Sequence, residues 1–136
     1  MSEINFDSNA NLIMVNIYLW NKRLKKFENM LITLDTGATM TVISKDILYN
    51  LGYDLDDKKK ARVITASNVE YVNIVNLDRV MIGNHILENV QVYAHTFPES
   101  SYTLGVLGLN VLRNFDIEIL FSRNKLVLKK IENKDD

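Results

Sequence analysis

The stretch Met30-Leu31-Ile32-Thr33-Leu34-Asp35-Thr36-Gly37-Ala38 decides the fold of this chain. Its first five residues are apolar or β-branched and are typical of a strand that borders a packed core. Asp35 ends this strand, and Gly37 permits the tight turn that follows it. A carboxyl group in that position can be held rigid and partly dehydrated, which is the setting in which Asp takes part in acid–base catalysis. The chain contains the Asp-Thr-Gly motif once.

Composition predicts an ordinary globular domain. The chain has 136 residues, of which 47% are hydrophobic and 24% charged, so we expect one domain over 1–136 with polar tails at about 1–10 and 132–136. A formal net charge of -1 gives no reason to expect a nucleic acid or an anionic membrane as partner. There is no cysteine, and His85 and His95 have no cluster of ligands near them in sequence, so we expect no metal and no cofactor.

The N-terminal part of the sequence does not resemble a secretory signal. Residues 1–7 are polar and acidic, without the basic start and apolar stretch of a signal peptide. The first apolar stretch, Leu12 to Trp20, contains Asn16 and is too short to cross a bilayer. We therefore expect a cytoplasmic protein.

Apolar runs alternate with turn-forming residues along the chain, a pattern typical of β-hairpins. Leu12–Trp20 and Phe27–Leu34 predict a first hairpin, and Ser44 to Gly52 predicts a short helix. The other predicted elements are strands at 62–66, 69–73, 75–82, 86–94, 104–108, 116–121 and 125–130, and a short helix at 110–113. The order of elements predicts an all-β domain with one or two short helices.

The segment Leu34-Asp35-Thr36-Gly37-Ala38-Thr39, together with Val106-Leu107-Gly108-Leu109, resembles the aspartic proteases. The resemblance is closest to the single-domain, retropepsin-like (retroviral-type) branch and its bacterial relatives. It covers most of the chain, from about Leu12 to Lys130, with the expected parts in order. It implies a closed, mostly antiparallel acid-protease barrel and the activity of an aspartic endopeptidase on a peptide or protein substrate.

The resemblance also implies roles for residues of the turn. Asp35 is the expected catalytic residue, and Thr36 is expected to form hydrogen bonds across a two-fold axis. Gly37 lets the backbone come close to the carboxylate, and Ala38 is small where the turn packs against the substrate.

Two further segments receive roles from the resemblance. The hairpin Arg62–Asn73 is the expected flap, with Ala66, Ser67, Asn68 and Val69 at its substrate-binding tip. Val106, Leu107 and Gly108 are expected to form an apolar shelf beneath the catalytic Asp.

A single Asp-Thr-Gly motif implies that two chains build the site. Peptide hydrolysis without a metal or a covalent nucleophile needs one group that takes a proton from water and another that gives one to the carbonyl, and two carboxyls that share a proton do both. By the resemblance, the second carboxyl is Asp35 of another copy, and a homodimer with a two-fold axis follows. The polar termini differ from the apolar termini that close viral dimers, so the strand Leu126-Val127-Leu128 is a candidate for the dimer surface.

Several alternatives remain open at this stage. The domain could be a peptide-binding or dimerisation module with little or no turnover, because one chain holds half a site. It could also be a regulatory protease with one protein target, and Asp35 could be a solvated residue of a surface turn. Tyr71 either packs on its strand or lines the site, and His95 either lies in a loop or approaches the cleft.

Overall fold

The computed structural model describes residues 1–7, 11–55, 60–64 and 66–132. Its elements in chain order are β1 (Ser2–Asn5), β2 (Met14–Asn21), β3 (Lys26–Leu34), β4 (Val42–Ser44), α1 (Lys45–Asn50), β5 (Lys60–Ile64), β6 (Val69–Ile82), β7 (His85–His95), β8 (Gly105–Leu107), α2 (Leu109–Leu112), β9 (Phe115–Leu120) and β10 (Lys125–Lys130). The predicted all-β class with short helices is confirmed.

Six strands close into a barrel in the order β2-β3-β8-β4-β7-β6, with β6 returning to β2. The closing contact pairs Tyr18 with Met81 and Leu19 with Val80. Most neighbouring strands are antiparallel, whereas β3–β8 and β4–β7 are parallel. The predicted closed, mostly antiparallel barrel is therefore confirmed, and β5 extends from it as the partner of β6 in a hairpin.

The barrel core follows from alternation along the strands. In β2, Val15, Ile17 and Leu19 are each 1% exposed, while the residues between them face outward. In β3, the core face carries Ile32, which is fully buried, and in β8 it carries Leu107. Burial of each such side chain contributes about 1.5–3 kcal/mol, so β3 is held in place up to its last residue.

The strand β6 is longer than the sequence predicts. Two strands were expected, at 69–73 and 75–82, but the structure has one continuous strand of 14 residues. Its first part pairs with β5 and its remainder pairs with β7. The prediction of a break near Ile74 was wrong because a strand continues when its hydrogen-bonding neighbour changes.

A second sheet of three strands has the order β1-β10-β9. Ser2–Asn5, expected as part of a polar tail, forms β1 and pairs with β10, whereas residues 8–10 and 133–136 lie outside the described residues. The proposed dimer strand Leu126–Leu128 lies at the centre of this sheet, with Leu126 and Leu128 buried. It therefore cannot pair edge to edge with a second copy. Among the described strands, the outer edges of this sheet are β1 and β9.

The helices are short, with six residues in α1 and four in α2. Within the part of the chain that the structure describes, no helix has the length and apolar character needed to span a membrane.

Candidate active site

Asp35 directly follows β3, where the barrel strand ends and the turn begins. Its backbone N–H donates to the carbonyl oxygen of Leu107 at 3.1 Å, and its own carbonyl accepts from the N–H of Ala38 at 3.3 Å. Its side chain is half-buried, and Oδ1 accepts a hydrogen bond from the N–H of Gly37 at 2.9 Å. These bonds hold the carboxylate in one orientation at the surface of the barrel.

The three residues after Asp35 form the turn that the sequence predicts. Thr36 and Gly37 are exposed, and Ala38 is half-buried. A Cβ atom added to Gly37 would lie 3.2 Å from Asp35 Oδ1, which is a tight contact. Glycine therefore leaves room for the hydrogen bond between its N–H and the carboxylate.

The rest of the turn is held against the start of α2 by backbone hydrogen bonds. The carbonyl of Ala38 accepts from the N–H of Leu109 at 2.8 Å, and the carbonyl of Thr39 accepts from the N–H of Asn110 at 3.1 Å. The turn is thus fixed at its beginning by β8 and at its end by α2.

Side chains add a second set of hydrogen bonds between the same two segments. Asn110 Oδ1 accepts from the backbone N–H of Thr41 at 2.8 Å and from its Oγ1 at 2.9 Å. Thr41 Oγ1 in turn accepts from the N–H of Gly108 at 3.0 Å. Asn110 Nδ2 donates to the carbonyl of Gln91 at 2.7 Å, which connects the network to β7. Sequence reasoning missed Thr41 and Asn110, because nothing local marks a Thr and an Asn 69 positions apart as partners.

Gly108 is the point of closest approach between the two segments. A Cβ atom there would lie 2.5 Å from the carbonyl carbon of Met40, 2.6 Å from its oxygen and 2.9 Å from the oxygen of Ala38. All three are backbone atoms, so no side chain can move aside to make room. Only glycine fits at this position.

The predicted apolar shelf lies beside the turn. The parallel pairing of β3 with β8 sets Leu34 opposite Leu107 and Thr33 opposite Val106. Leu107 is buried and Val106 is half-buried. The structure thus brings Val106, Leu107 and Gly108 next to Asp35, while their contact with a substrate stays a prediction.

The expected flap is the β5–β6 hairpin, with Ile64 opposite Val69. The described tip residues Ala66, Ser67, Asn68 and Val69 are exposed. A cavity of about 440 Å³ lies between this hairpin and the turn. Its lining residues are Ala38, Thr39, Met40, Val42, Arg62, Val63, Ile64, Glu70, Val72, Tyr93 and His95. The four tip residues do not belong to this lining, so their contact with a substrate also stays a prediction.

The structure gives different outcomes for Tyr71 and His95, the two residues whose positions the sequence left open. Tyr71 is 65% exposed and does not line the cavity, so neither core packing nor a place in this cavity explains it. His95 does line the cavity, opposite the turn. The sequence could not distinguish these outcomes, because Tyr71 lies on a predicted strand and His95 in a predicted loop, and neither assignment shows what packs nearby.

The site of one chain is chemically incomplete as an acid–base centre. One carboxyl can accept or donate a proton, but a reaction that needs both transfers at once needs a second group. Among the described residues, no group of three or more His, Asp or Glu side chains could hold a metal ion.

Comparisons with known proteins agree with this geometry. The sequence profile of a family described as gag-polyprotein putative aspartyl protease matches residues 27–114, a range that includes Asp35, the hairpin and Gly108. Sequence comparison with curated proteins gives no match.

Two solved structures are similar over most of the chain. A retropepsin-like aspartic protease from Rickettsia conorii has a TM-score of 0.64 and 21% sequence identity, over 93% of this chain and 87% of that chain. The retroviral protease-like domain of Ddi1 from Leishmania major has a TM-score of 0.61 and 14% identity, over 90% of this chain and 92% of that chain. The fold of this chain is retropepsin-like.

Proposed function

Since the chain belongs to the gag-polyprotein putative aspartyl protease family, we propose that it is an aspartic endopeptidase that hydrolyses peptide bonds as a homodimer. One observation carries the proposal. The Asp35 carboxylate is half-exposed at a rigid strand end and held by the N–H of Gly37, and each chain supplies one such group. Rigid placement of an acid is what general acid–base catalysis requires.

The reaction uses the Asp35 carboxyls of both chains. Two carboxyls a few ångströms apart do not both ionise, so the pair shares one proton. The ionised carboxylate takes a proton from water as the water oxygen attacks the peptide carbon, and the protonated carboxyl gives its proton to the carbonyl oxygen. The tetrahedral intermediate then breaks its C–N bond as a proton returns to the leaving nitrogen.

A two-fold axis between the chains brings the carboxyls together. An isologous contact sets each residue near its twin, so an axis beside the turn pairs Asp35 with Asp35. The exposure of Thr36, next to Asp35, supports a contact at this position. In the proposed dimer its hydroxyl donates across the axis to the other turn.

The substrate is an extended peptide that lies between the turn and the β5–β6 hairpin. The cavity at this position is large enough for a side chain and is lined mainly by apolar residues. In the proposed complex, the hairpin covers the peptide and excludes water from the reacting atoms. The absence of a nucleic-acid or membrane partner and the cytoplasmic location remain predictions from composition.

Replacement of Asp35 by Asn tests the catalytic role. We expect peptide cleavage to fall by about 10²–10⁴-fold, the usual contribution of a general acid or base. Asp46→Asn is the matched control, because Asp46 is an exposed acid in the first turn of α1. Equal activity of the Asp35→Asn and wild-type proteins would contradict the proposal. If the wild type binds peptides without cleaving them, the alternative of a peptide-binding module with little or no turnover would be supported instead.

Mixing experiments test the shared site. When wild-type and Asp35→Asn chains exchange freely at a one-to-one ratio, only dimers of two wild-type chains are active, so activity per total protein falls to about a quarter. Independent sites would give about half. Light scattering gives the mass of the active species, and an active monomer would rule out the two-chain mechanism.

A further inference from the structure

One side of the cavity between the turn and the β5–β6 hairpin is lined by two polar side chains, Tyr93 and His95, which we call the polar floor. Tyr93 and His95 are two residues apart on β7, so their side chains leave the strand on the same face and both line the cavity. Ala94 between them is fully buried and faces the barrel core. The position of both polar groups is therefore set by the strand itself.

These two side chains lack hydrogen-bond partners in the part of the chain that the structure describes. Both are half-buried, and the recorded side-chain contact of His95 is an edge-on contact with the ring of Phe97, with ring centroids 6.0 Å apart. Their polar atoms are not among the buried atoms without a partner in the described residues, so they can bond to water in the cavity. A ligand in this cavity can replace that water and accept or donate the same bonds.

The walls of the cavity are mainly apolar. Ala38, Met40 and Val42 form the side next to the turn, and Val63 and Val72 belong to the hairpin side. The hairpin also contributes two side chains of opposite charge, Arg62 and Glu70, so the cavity has no strong excess of either sign. Such walls accept an uncharged side chain with an aliphatic stem.

The polar floor limits which functional group at the end of a substrate side chain can bind there. A tyrosine hydroxyl is both donor and acceptor, and a neutral imidazole has one donor and one acceptor nitrogen. A carboxamide has an acceptor oxygen and two N–H donors, so it can satisfy both groups at once. A carboxylate can accept from both donors, but its charge loses more hydration free energy beside these apolar walls, and an apolar side chain bonds to neither group.

We propose that Tyr93 and His95 select glutamine at the substrate position whose side chain enters this cavity. The inference rests on the proposed peptidase function and deepens it. In the homodimer, the two-fold axis produces two such cavities, so the preference applies at one position on each side of the scissile bond.

Cleavage of a peptide library identifies these positions. Mass spectrometry of the products from a bacterial-lysate peptide library gives the residue frequencies around each cut. Synthetic decapeptides with Gln or Met at the preferred position then compare side chains of equal length. We expect kcat/KM to favour Gln by about tenfold, the factor given by one or two net hydrogen bonds.

Variants assign the preference to the two residues. In the double variant Tyr93→Phe, His95→Leu, we expect the Gln-to-Met ratio to fall to about one. Tyr102→Phe and His85→Leu are the matched controls, because Tyr102 is 90% exposed and neither residue lines the cavity. Their ratios should equal that of the wild type. A ratio unchanged in the double variant would overturn the proposal, as would a stronger preference for Glu or Met in the wild type.

A binding measurement separates this inference from the proposed function. Immobilised Asp35→Asn protein is incubated with a randomised decapeptide library, and captured sequences are counted with and without the Tyr93→Phe, His95→Leu change. Enrichment of Gln that depends on these two residues supports the pocket even if the wild type cleaves nothing. Cleavage without Gln enrichment leaves the peptidase in place and rejects the pocket, and capture of no peptide rejects the pocket as well.

Discussion

Two segments border the same cavity, and the structure holds them in opposite ways. The turn at 35–41 is fixed by backbone bonds to β8 and α2 and by the side chains of Thr41 and Asn110. The β5–β6 hairpin projects from the barrel, and its apolar residues Ile64, Val69 and Tyr71 are 72%, 45% and 65% exposed. A carboxyl that moves protons must stay in place, whereas a segment that covers a peptide must open to admit it. The difference in support matches the two tasks that we propose for these segments.

Amide hydrogen exchange measures this difference most directly. We expect amides that pair β5 with β6 to exchange at least about a thousandfold faster than those of Thr41, Gly108 and Asn110, after correction for intrinsic rates. The hairpin can open locally, but release of the turn requires loss of β8 and α2. Exchange read by NMR for each residue tests this. Equal protection in both segments would break the comparison, because it would make the hairpin part of the same cooperative unit.

The largest effect of a substitution on the free energy of unfolding is expected for Gly108→Ala. The new methyl group would overlap backbone atoms of Met40, so we expect a loss of about 3 kcal/mol or more in the free energy of unfolding. Gly37→Ala is the matched control. The new methyl group would contact only Asp35 Oδ1, at 3.2 Å. The variant should therefore change the free energy of unfolding by less than about 1 kcal/mol while it disturbs the carboxylate.

Denaturant unfolding at one fixed protein concentration gives both values, since the proposed dimerisation would make stability depend on concentration. A tolerated Gly108→Ala, with unchanged stability and cleavage, would mean that the turn is less tightly held than its geometry indicates.

Replacement of Asn110 tests the side-chain part of the network. Asn110→Ala removes three hydrogen bonds and leaves the N–H of Thr41 without its partner, so we expect a loss of about 2–3 kcal/mol. Asn110→Asp keeps both acceptor bonds from Thr41 and removes the donor to Gln91, and about half of that loss is expected. The same unfolding measurement applies. Equal losses in the two variants would assign the stability to the bond with Gln91.

Much of this architecture was accessible from the sequence because it is locally encoded. The apolar run before Asp35, the glycine after it and the hairpin turn at Gly83 each carry their own pattern, and Gly83 has the positive φ of +61° expected of such a turn. The pairing of Thr41 with Asn110 was not accessible, because it joins residues far apart in sequence. Tertiary contact alone makes these two side chains partners.

The strand β1 and the position of Tyr93 were also not predicted, for two different reasons. The region of β1 has a weak local pattern, in which Ile4 and, just after the strand, Phe6 alternate with polar residues, and such alternation is visible in the sequence. For Tyr93, alternation on β7 predicts that it faces outward, but it does not reveal that the turn lies over that face. The apolar pattern of a strand identifies its buried side and says nothing about what covers the other.

The finest test compares two buried threonines on either side of Asp35. Thr33 is 6% exposed and Thr41 is 2% exposed. Thr41 Oγ1 donates to Asn110 and accepts from Gly108, whereas Thr33 Oγ1 has no hydrogen-bond partner among the described residues. Replacement of either residue by Val removes the hydroxyl with little change in shape. Because only the Thr41 hydroxyl is hydrogen-bonded, the two variants should change the free energy of unfolding by different amounts or in opposite directions.

We expect Thr41→Val to lower the free energy of unfolding by about 2 kcal/mol, because it breaks two bonds and leaves the buried N–H of Gly108 unpaired. Thr33→Val should be neutral or stabilising by up to about 1 kcal/mol, since it removes a buried hydroxyl that forms no bond. Unfolding curves of both variants, measured beside the wild type, decide the matter. A loss in Thr33→Val as large as that in Thr41→Val would show that Thr33 has a partner in the assembled protein. The rigid network would then extend along β3 before Asp35 as well as after it.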